Sequence, residues 1–408
     1  MDYYIKQECR LCESKELKTI LALQDSPLCD AYLKVKKEQK FYPLQLNQCV
    51  DCGFVQINCV VDPEIIYRDY IYVTTSSSGL INHFENYTND VFAHLKPVSQ
   101  SLVVDIGSND GTLLSFFQQK DCRTLGIEPS INVAQVAMDQ GINVITEFFD
   151  KALAENISNT YQKADAILSA NVMCHIPYMH SIFDGVKVLL KSDGVFIFED
   201  PYLGEVIEKT SFDQIYDEHV FLFSALSVSY LANMHDLELV NVKPQITHGG
   251  SMRYTIAHKG TKIVSQNVFN LIEKEKKLGL DKKHSYLGFT DSINQIKDNL
   301  IDLLTKLNNE GKKVVAYGAT SKSTTVTNYF GITPNLVECI YDTTPIKQNK
   351  FSPGVHIPVL PYSQFRESNP DYVLLFAWNH STEIMKKEKD YMNDNRHWIT
   401  YIPNVKVI

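Results

Sequence analysis

Apolar and polar positions along this chain fall into three regimes. Up to about residue 70 they make short strand-like and turn-like pieces. From about residue 80 to 245, compact apolar runs recur as SLVVDIG, TLGIEP, DAILSAN and VFIFEDP. Helix-length stretches separate them, which predicts a parallel sheet built from βαβ units. After the glycines Gly249 and Gly250, a strand over 252–258 is expected to lead into a helical region at roughly 262–309, broken around 278–280. A second alternation follows, with strands in KVVAYGA, VECIYD and VLLFAWN and a last one near 398–402. The expected fold class is α/β, with domains over 1–70, 71–245 and 246–408.

Composition narrows the class of protein. At 408 residues the chain exceeds one ordinary domain, and 44% hydrophobic with 21% charged residues is the balance of a soluble globular protein. A formal charge of −9 speaks against a nucleic-acid partner, which requires a clustered basic excess. KEKK at 274–277 and DKK at 281–283 sit among acids and read as solvated helix faces. No stretch approaches the roughly 18 uninterrupted apolar residues of a membrane span, so no membrane partner is expected. The N-terminus MDYYIKQECRLC lacks the basic and apolar segments of a secretory leader, which makes the cytoplasm the expected compartment.

That compartment makes the nine cysteines thiols or metal ligands rather than disulfides. Four of them form two CxxC pairs, Cys9 with Cys12 and Cys49 with Cys52, the second followed by Gly53. Each CxxC turn aims two sulfurs at one point, and two turns supply the tetrahedral thiolate set that zinc prefers. Four protein ligands leave no open position, so the expected zinc is structural. Cys29, Cys59, Cys122, Cys174 and Cys339 lack such spacing and read as small buried side chains.

The run LVVDIGSNDGTLL over 102–114 reads as a buried strand, a glycine turn and a helix start. Gly107 and Gly111 would let the backbone pass close to a ligand, and Asp105 at the strand end would meet the ligand's amino-acid part. Glu128 ends the next strand, where a carboxylate accepts from both ribose hydroxyls. This is the pattern of an S-adenosylmethionine (SAM) site, with Asn109 in place of a middle glycine. The GSNDG spacing lacks the GxGxxG of a dinucleotide site. Asn171 is placed in the same site. Glu147, Phe148 and Phe149 suit its adenine side, although the two rings suit plain core packing equally well.

In the last third, AYGATSKSTT reads as a strand, a small-residue turn and a helix start. Ser321 and Lys322 at that helix N-terminus make an anion site suited to a nucleotide diphosphate. Asp342, ending the next strand, is placed like a ribose acceptor, and Lys347 lies nearby in sequence.

Taken together, these stretches carry a resemblance over essentially the whole chain. With the CxxC pairs, DIGSNDGTLL, GIEPS, ANVMCHIP, YDEHVFLFS, HGGSMR, AYGATSKSTTVTNYFGI, YDTTPIKQNKFSPGVHIPV and WNHSTEI, the sequence resembles the sugar C-methyltransferases that make branched deoxysugars, of the tetronitrose and mycarose C-3 type. The resemblance implies a zinc domain, a class I methyltransferase Rossmann-like domain and a C-terminal Rossmann-like domain that helps hold the nucleotide of the substrate. Many members have a glycine after the lysine where this chain has Ser323. The implied partner is a nucleotide-linked 4-keto-deoxysugar, and the implied reaction is methylation of its carbon 3 through an enediolate. The family's YxEH segment falls on Tyr216, Glu218 and His219, its ANV–H histidine on His175, and a tyrosine at the cofactor entrance on Tyr70 or Tyr72. On this reading His219 is the base, Glu218 orients it or contacts the sugar, and Tyr216 and His175 stabilise the oxyanion. Methyl transfer to oxygen or nitrogen of another small molecule, or a zinc-containing scaffold with a degenerate SAM fold, are the alternatives. A monomer or a homodimer is expected.

Overall fold

Strand Leu102–Ile106 is buried at all five positions, as a central parallel strand covered on both faces must be. The computed structural model describes residues 2–68, 70, 74, 78–282, 286–392 and 396–408. Around that strand a seven-stranded sheet forms in the order Leu237–Gln245, Ser251–His258, Leu190–Pro201, Ala164–Ala170, Leu102–Ile106, Arg123–Ile127, Val144–Ile145. Pairing is parallel from Leu190–Pro201 to Val144–Ile145, whereas Ser251–His258 runs antiparallel to both its neighbours. Chain order reverses at Leu102–Ile106, and the crevice at such a switch point is where α/β sheets bind ligands.

Strand Ser251–His258, which follows the glycine pair, pairs with the central sheet. It fills the gap between Leu190–Pro201 and Leu237–Gln245, burying seven of its eight positions in the central sheet. Helix Gln266–Leu278 then ends at Gly279, whose φ of 70° gives the left-handed C-terminal turn behind the expected break. Helix Leu287–Asn309 buries Phe289, Ile293, Ile296, Leu300, Leu304 and Leu307, a three-to-four spacing that makes one apolar stripe.

A second seven-stranded sheet follows, in the order Lys350–Phe351, Pro358–Pro361, Ile340–Asp342, Val314–Tyr317, Tyr372–Leu375, His397–Thr400, Lys406–Val407. Its central strands are parallel and its two edges antiparallel. Val314–Tyr317 occupies the same switch position as Leu102–Ile106 does in the first sheet.

The N-terminal unit is small: strands Leu17–Ala22, Gln45–Cys49 and Val55–Ile57 form an antiparallel sheet. Its fourth strand is Phe221–Leu222, lent by the central domain directly after the YDEHV segment. So little apolar surface cannot stabilise a domain alone, which is the physical reason for a thiolate cluster there. No helix among the described residues is long and apolar enough to cross a membrane.

Candidate functional site

Loops from the C-terminal ends of both large sheets, together with residues of the N-terminal unit, enclose one cavity of about 1270 Å³. A cleft of that size exceeds the usual range for a single small ligand, roughly 300–1,000 Å³.

At the first sheet the geometry follows from backbone conformation. Gly107, Asn109 and Gly111 have φ of 74°, 49° and 77°, so every second residue of the turn is left-handed. Asparagine tolerates that region better than other residues with a Cβ, which accounts for Asn109 where a glycine was expected. The Asn109 side-chain oxygen also accepts from the backbone N–H and hydroxyl of Thr74, at 3.0 and 3.1 Å. A Cβ on Gly107 would meet Val172 at 2.4 Å, and one on Gly111 would meet Ile142 at 2.8 Å. Gly111 is therefore a packing glycine that starts helix Thr112–Gln118, and it does not line the cleft as expected.

Glu128 is buried, accepting from the backbone N–H of Asn109 and of Ser130, both at 2.9 Å. Asp105 lies behind the turn, where burial and then the neighbouring Glu128 push its carboxyl up to about 8. Oδ1 of Asp105 and Oδ1 of Asn171 are buried without a hydrogen-bond partner, and both residues line the cleft. An orphaned carboxyl oxygen on Asp105 and an orphaned amide oxygen on Asn171 fit a bound ammonium group, such as that of SAM's methionyl part. Phe148 and Phe149 both line the cleft; Phe149 is also core, and Arg68 lies over the Phe148 ring at 4.9 Å.

The second sheet repeats this construction. Gly107 N–H donates to the carbonyl of Ile127, the residue before Glu128, and Gly318 N–H donates to that of Tyr341, the residue before Asp342, each at 2.8 Å. Asp342 then accepts from the N–H groups of Ala319 and Thr344, at 2.6 and 2.7 Å. Gly318, with φ of 92°, packs against Ala377, just as Gly107 packs against Val172. Helix Ser321–Phe330 begins here, capped by Thr320, and Ser321 and Lys322 both line the cleft. Burial lowers the Lys322 ammonium from its ordinary value, opposed by the charge of Asp213.

Lys347, expected near the substrate, lines the cleft. Its ammonium sits 3.0 Å from Asp30 of the N-terminal unit and donates to the Ala319 carbonyl at 3.0 Å. A buried cation needs a partner, and Asp30 satisfies it before any ligand arrives. Lys347 thus ties the N-terminal unit to the C-terminal sheet.

Between the two carboxylate turns stands the YDEH segment. His219 Nδ1 lies 2.7 Å from the Gln214 carbonyl, which only accepts, so that nitrogen carries the proton. Nε2 is then the lone pair, and the Tyr216 hydroxyl donates to it at 2.7 Å. Burial, then the neighbouring His175, holds His219 well below the usual imidazole range and therefore neutral. His175 is lowered to about 4 by burial alone, and its Nε2 is buried without a partner. The His175 ring stacks on Tyr67 at 5.8 Å and tilts toward His219 at 5.3 Å.

Glu218 makes its hydrogen bonds to residues other than His219. Its oxygens accept from the Cys29 thiol at 3.2 Å and the Tyr70 hydroxyl at 2.9 Å. Burial, then Asp30 and Asp217, push its carboxyl up to about 8, so near neutral pH it is largely the uncharged acid. Tyr72 lies outside the described residues.

Sequence reasoning missed Cys29, Asp30, Tyr67 and His248. The Asp30–Lys347 contact spans 317 positions, and no local pattern announces such a pair. His248 had a signal in HGGSMR: it lines the cleft with φ of 51°, one residue before Gly249.

The four CxxC sulfurs lie within 4.8 Å of one another, with Cys9–Cys52 at 3.6 Å and Cys12–Cys49 at 3.5 Å. Tetrahedral zinc with bonds of about 2.3 Å places sulfurs ~3.8 Å apart, so the cluster fits a closed structural site.

Comparison with known proteins agrees with this construction. Family models match for a zinc-binding domain over residues 9–67, a methyltransferase domain over 82–242 and a C-methyltransferase C-terminal domain over 246–403. The chain is 30% identical over 405 residues to the C-methyltransferase NovU of Streptomyces niveus, covering 98% of this chain and 96% of that one. Among solved structures, magnesium protoporphyrin IX methyltransferase of Synechocystis with bound SAM is similar over 44% of this chain and 81% of its own, with 11% identity and a TM-score of 0.34. A SAM-dependent methyltransferase of Anabaena variabilis is similar over 48% and 98%, with 16% identity and a TM-score of 0.34. With a zinc-binding unit, a SAM-dependent methyltransferase domain and the C-terminal domain in this order, the chain belongs to the family of SAM-dependent C-methyltransferases.

Proposed function

We propose that this enzyme methylates carbon 3 of a 4-keto-deoxysugar nucleotide, through an enediolate, as a step in making a branched sugar. The observation that carries the reading is the pair of carboxylate turns, Glu128 and Asp342, facing one cleft with a neutral tyrosine–histidine pair between them. One turn suits the ribose of SAM and the other the ribose of a second nucleotide.

Bound SAM supplies an electrophilic methyl group on a sulfonium. Asp105 and Asn171 take its ammonium, and Glu128 its ribose. Asp342 takes the substrate ribose, while Lys322 and the start of helix Ser321–Phe330 take the diphosphate. The 4-keto group acidifies the proton on carbon 3. His219 Nε2 is the base, receiving that proton once the Tyr216 hydroxyl turns aside or relays it. The electron pair of the broken C–H bond moves onto the keto oxygen as the enediolate forms. Glu218, as an uncharged acid beside Tyr70, donates to that oxygen, and Tyr216 with His175 completes its surroundings. Carbon 3 is then the nucleophile to which bound SAM would supply its methyl group, the carbon–sulfur electron pair staying with sulfur. The cytoplasm is the proposed site of action.

The test is incubation with SAM and a panel of 4-keto-6-deoxy sugars linked to thymidine, guanosine or cytidine diphosphate. Expected is a product heavier by one methylene whose NMR spectrum shows a methyl group on a quaternary carbon. A methoxy or N-methyl signal, or no product across the panel, refutes the proposal.

A further inference from the structure

Three strands of the C-terminal sheet lie side by side and parallel, Ile340–Asp342, Val314–Tyr317 and Tyr372–Leu375. The first ends in Asp342, and the second leads into the Gly318 turn and Lys322. Past the third, the chain makes a short helical turn, Trp378–His380, and Asn379 at its centre lines the cleft. The Asn379 side-chain oxygen is buried and has no hydrogen-bond partner among the described residues. Taking an amide oxygen out of water without a donor is costly, so an acceptor left this way in a cleft wall suits a donor on the ligand.

The turn that carries Asn379 is fixed from two sides. Ala377 packs on the Gly318 turn, 2.7 Å from where a Cβ on that glycine would stand. Trp378 donates from Nε1 to Oδ2 of Asp213 at 2.6 Å, and the far end of its ring lies against Gly249. Asp213 stands three residues before Tyr216 in the central domain. The turn thus bridges the Gly318 loop and the segment that carries His219, with Asn379 next in the chain.

The first sheet has a matching strand end, and the contrast defines the ligand group. There strand Ala164–Ala170 is followed by Asn171, whose side-chain oxygen is also orphaned in the cleft, and then by Val172, which packs on Gly107 as Ala377 packs on Gly318. Two residues before Gly107 stands Asp105, the carboxyl that accompanies Asn171 toward an ammonium. Two residues before Gly318 stands Ala316, which offers no such charge. Lys322 in the same cleft wall disfavours a cation further, so the donor that meets Asn379 is neutral, as a hydroxyl is. Neighbouring strands lie about 4.8 Å apart. A ligand with its ribose at Asp342 and its diphosphate at the Gly318 turn therefore carries its next group to the end of Tyr372–Leu375. In a nucleotide sugar that group is the sugar ring.

We propose that Asn379 is a sugar-binding residue that sets specificity: its side-chain oxygen accepts from a ring hydroxyl of the deoxysugar and holds that ring beside Tyr216 and His219. The inference rests on the reading of the C-terminal unit as the nucleotide holder, and it adds the place of the sugar.

Calorimetry in the presence of S-adenosylhomocysteine compares thymidine 5′-diphosphate with thymidine diphosphate-linked 4-keto-6-deoxyglucose on the wild type, Asn379→Leu and Asn379→Asp. The ratio of the two affinities isolates the sugar from the nucleotide. Leucine matches asparagine in shape and has no acceptor. Expected for Asn379→Leu is a loss of ~10-fold or more in affinity for the nucleotide sugar, with diphosphate affinity, SAM affinity and melting temperature unchanged. Aspartate keeps the acceptor, so its ratio stays at or above that of the wild type even where the added charge weakens both ligands. Sugars lacking the hydroxyl at carbon 2 or at carbon 3 locate the donor: for one of them, the wild type and Asn379→Leu bind alike. Equal weakening of both ligands by leucine, no weakening of either, or an aspartate ratio as low as that of leucine overturns the inference and leaves the nucleotide reading in place. A wild type that binds neither ligand, nor their guanosine and cytidine counterparts, overturns that reading and this inference together.

Discussion

The Tyr216 hydroxyl donates to Nε2 of His219 over 2.7 Å, and the Gln214 carbonyl fixes the opposite ring nitrogen as the proton carrier. The imidazole thus has one lone pair, aimed at a residue that lines the cleft beside it. Nε2 of His175, by contrast, is buried without a hydrogen-bond partner.

From this follows a ranking of the two histidines. His219→Asn is expected to lower kcat by about 10²–10⁴-fold, the usual worth of a positioned base. Its SAM affinity should be unchanged. Exchange of the carbon 3 proton with deuterated solvent, measured with S-adenosylhomocysteine in place of SAM, should disappear as well. His175→Asn should retain exchange. The reverse result would make His175 the base.

Glu218 ties activity to pH in a defined direction. Its carboxyl sits near 8 because of burial and the carboxylates of Asp30 and Asp217, against an ordinary value of 4.5. The protonated form is the hydrogen-bond donor, so kcat/KM should be full on the acid side and fall as pH rises through about 8. Stability carries the same sign: the contribution of this group is complete below the unfolded value and is lost as pH rises through the folded one. Glu218→Gln keeps a neutral donor at every pH, so its profile should lack that alkaline limb. An unchanged limb would assign it to another group.

The metal cluster should act through folding. Cys49→Ser, or treatment with a strong chelator, is expected to remove one zinc per chain and lower the melting temperature by more than ~5 °C. Because Cys29 and Asp30 reach from the same unit to Glu218 and Lys347, activity should fall with zinc loss even before the large sheets unfold. Metal analysis with parallel melting curves checks both points. Full activity in the zinc-free protein would contradict them.

Much of this was legible in the chain because it rests on local patterns. Apolar runs set the two parallel sheets, the CxxC pairs set the sulfur cluster, and DIGSNDG set the first turn with Glu128 at the next strand end. What escaped is held by contacts between distant segments. Strand Phe221–Leu222 looks like any short run, yet it closes the N-terminal sheet. Ser251–His258 follows a glycine pair that interrupts the pattern, and only the fold reveals that its partners are Leu190–Pro201 and Leu237–Gln245. Lys347 carries the same charge as a phosphate ligand would, and only the fold reveals Asp30 against it.

The likeness of Glu128 to Asp342 permits a paired prediction. Each carboxylate bridges the turn after the first strand of its sheet and the N–H two residues beyond itself. Each also lines the cleft and has lone pairs beyond those two bonds. Replacement by alanine would orphan two buried N–H groups and confuse binding with folding. Glu128→Gln and Asp342→Asn keep an acceptor and remove the charge, which makes them the cleaner pair. Glu128→Gln should weaken SAM by about 10-fold, the worth of ~1.4 kcal/mol at a hydrogen bond to a charged group, and leave thymidine diphosphate binding alone. Asp342→Asn should do the opposite. Calorimetry with each ligand separately reads both effects. If both variants weakened SAM and neither touched the nucleotide, the second turn would be a scaffold and not a binding site, because a ribose held there has no other carboxylate at a matching strand end to accept from.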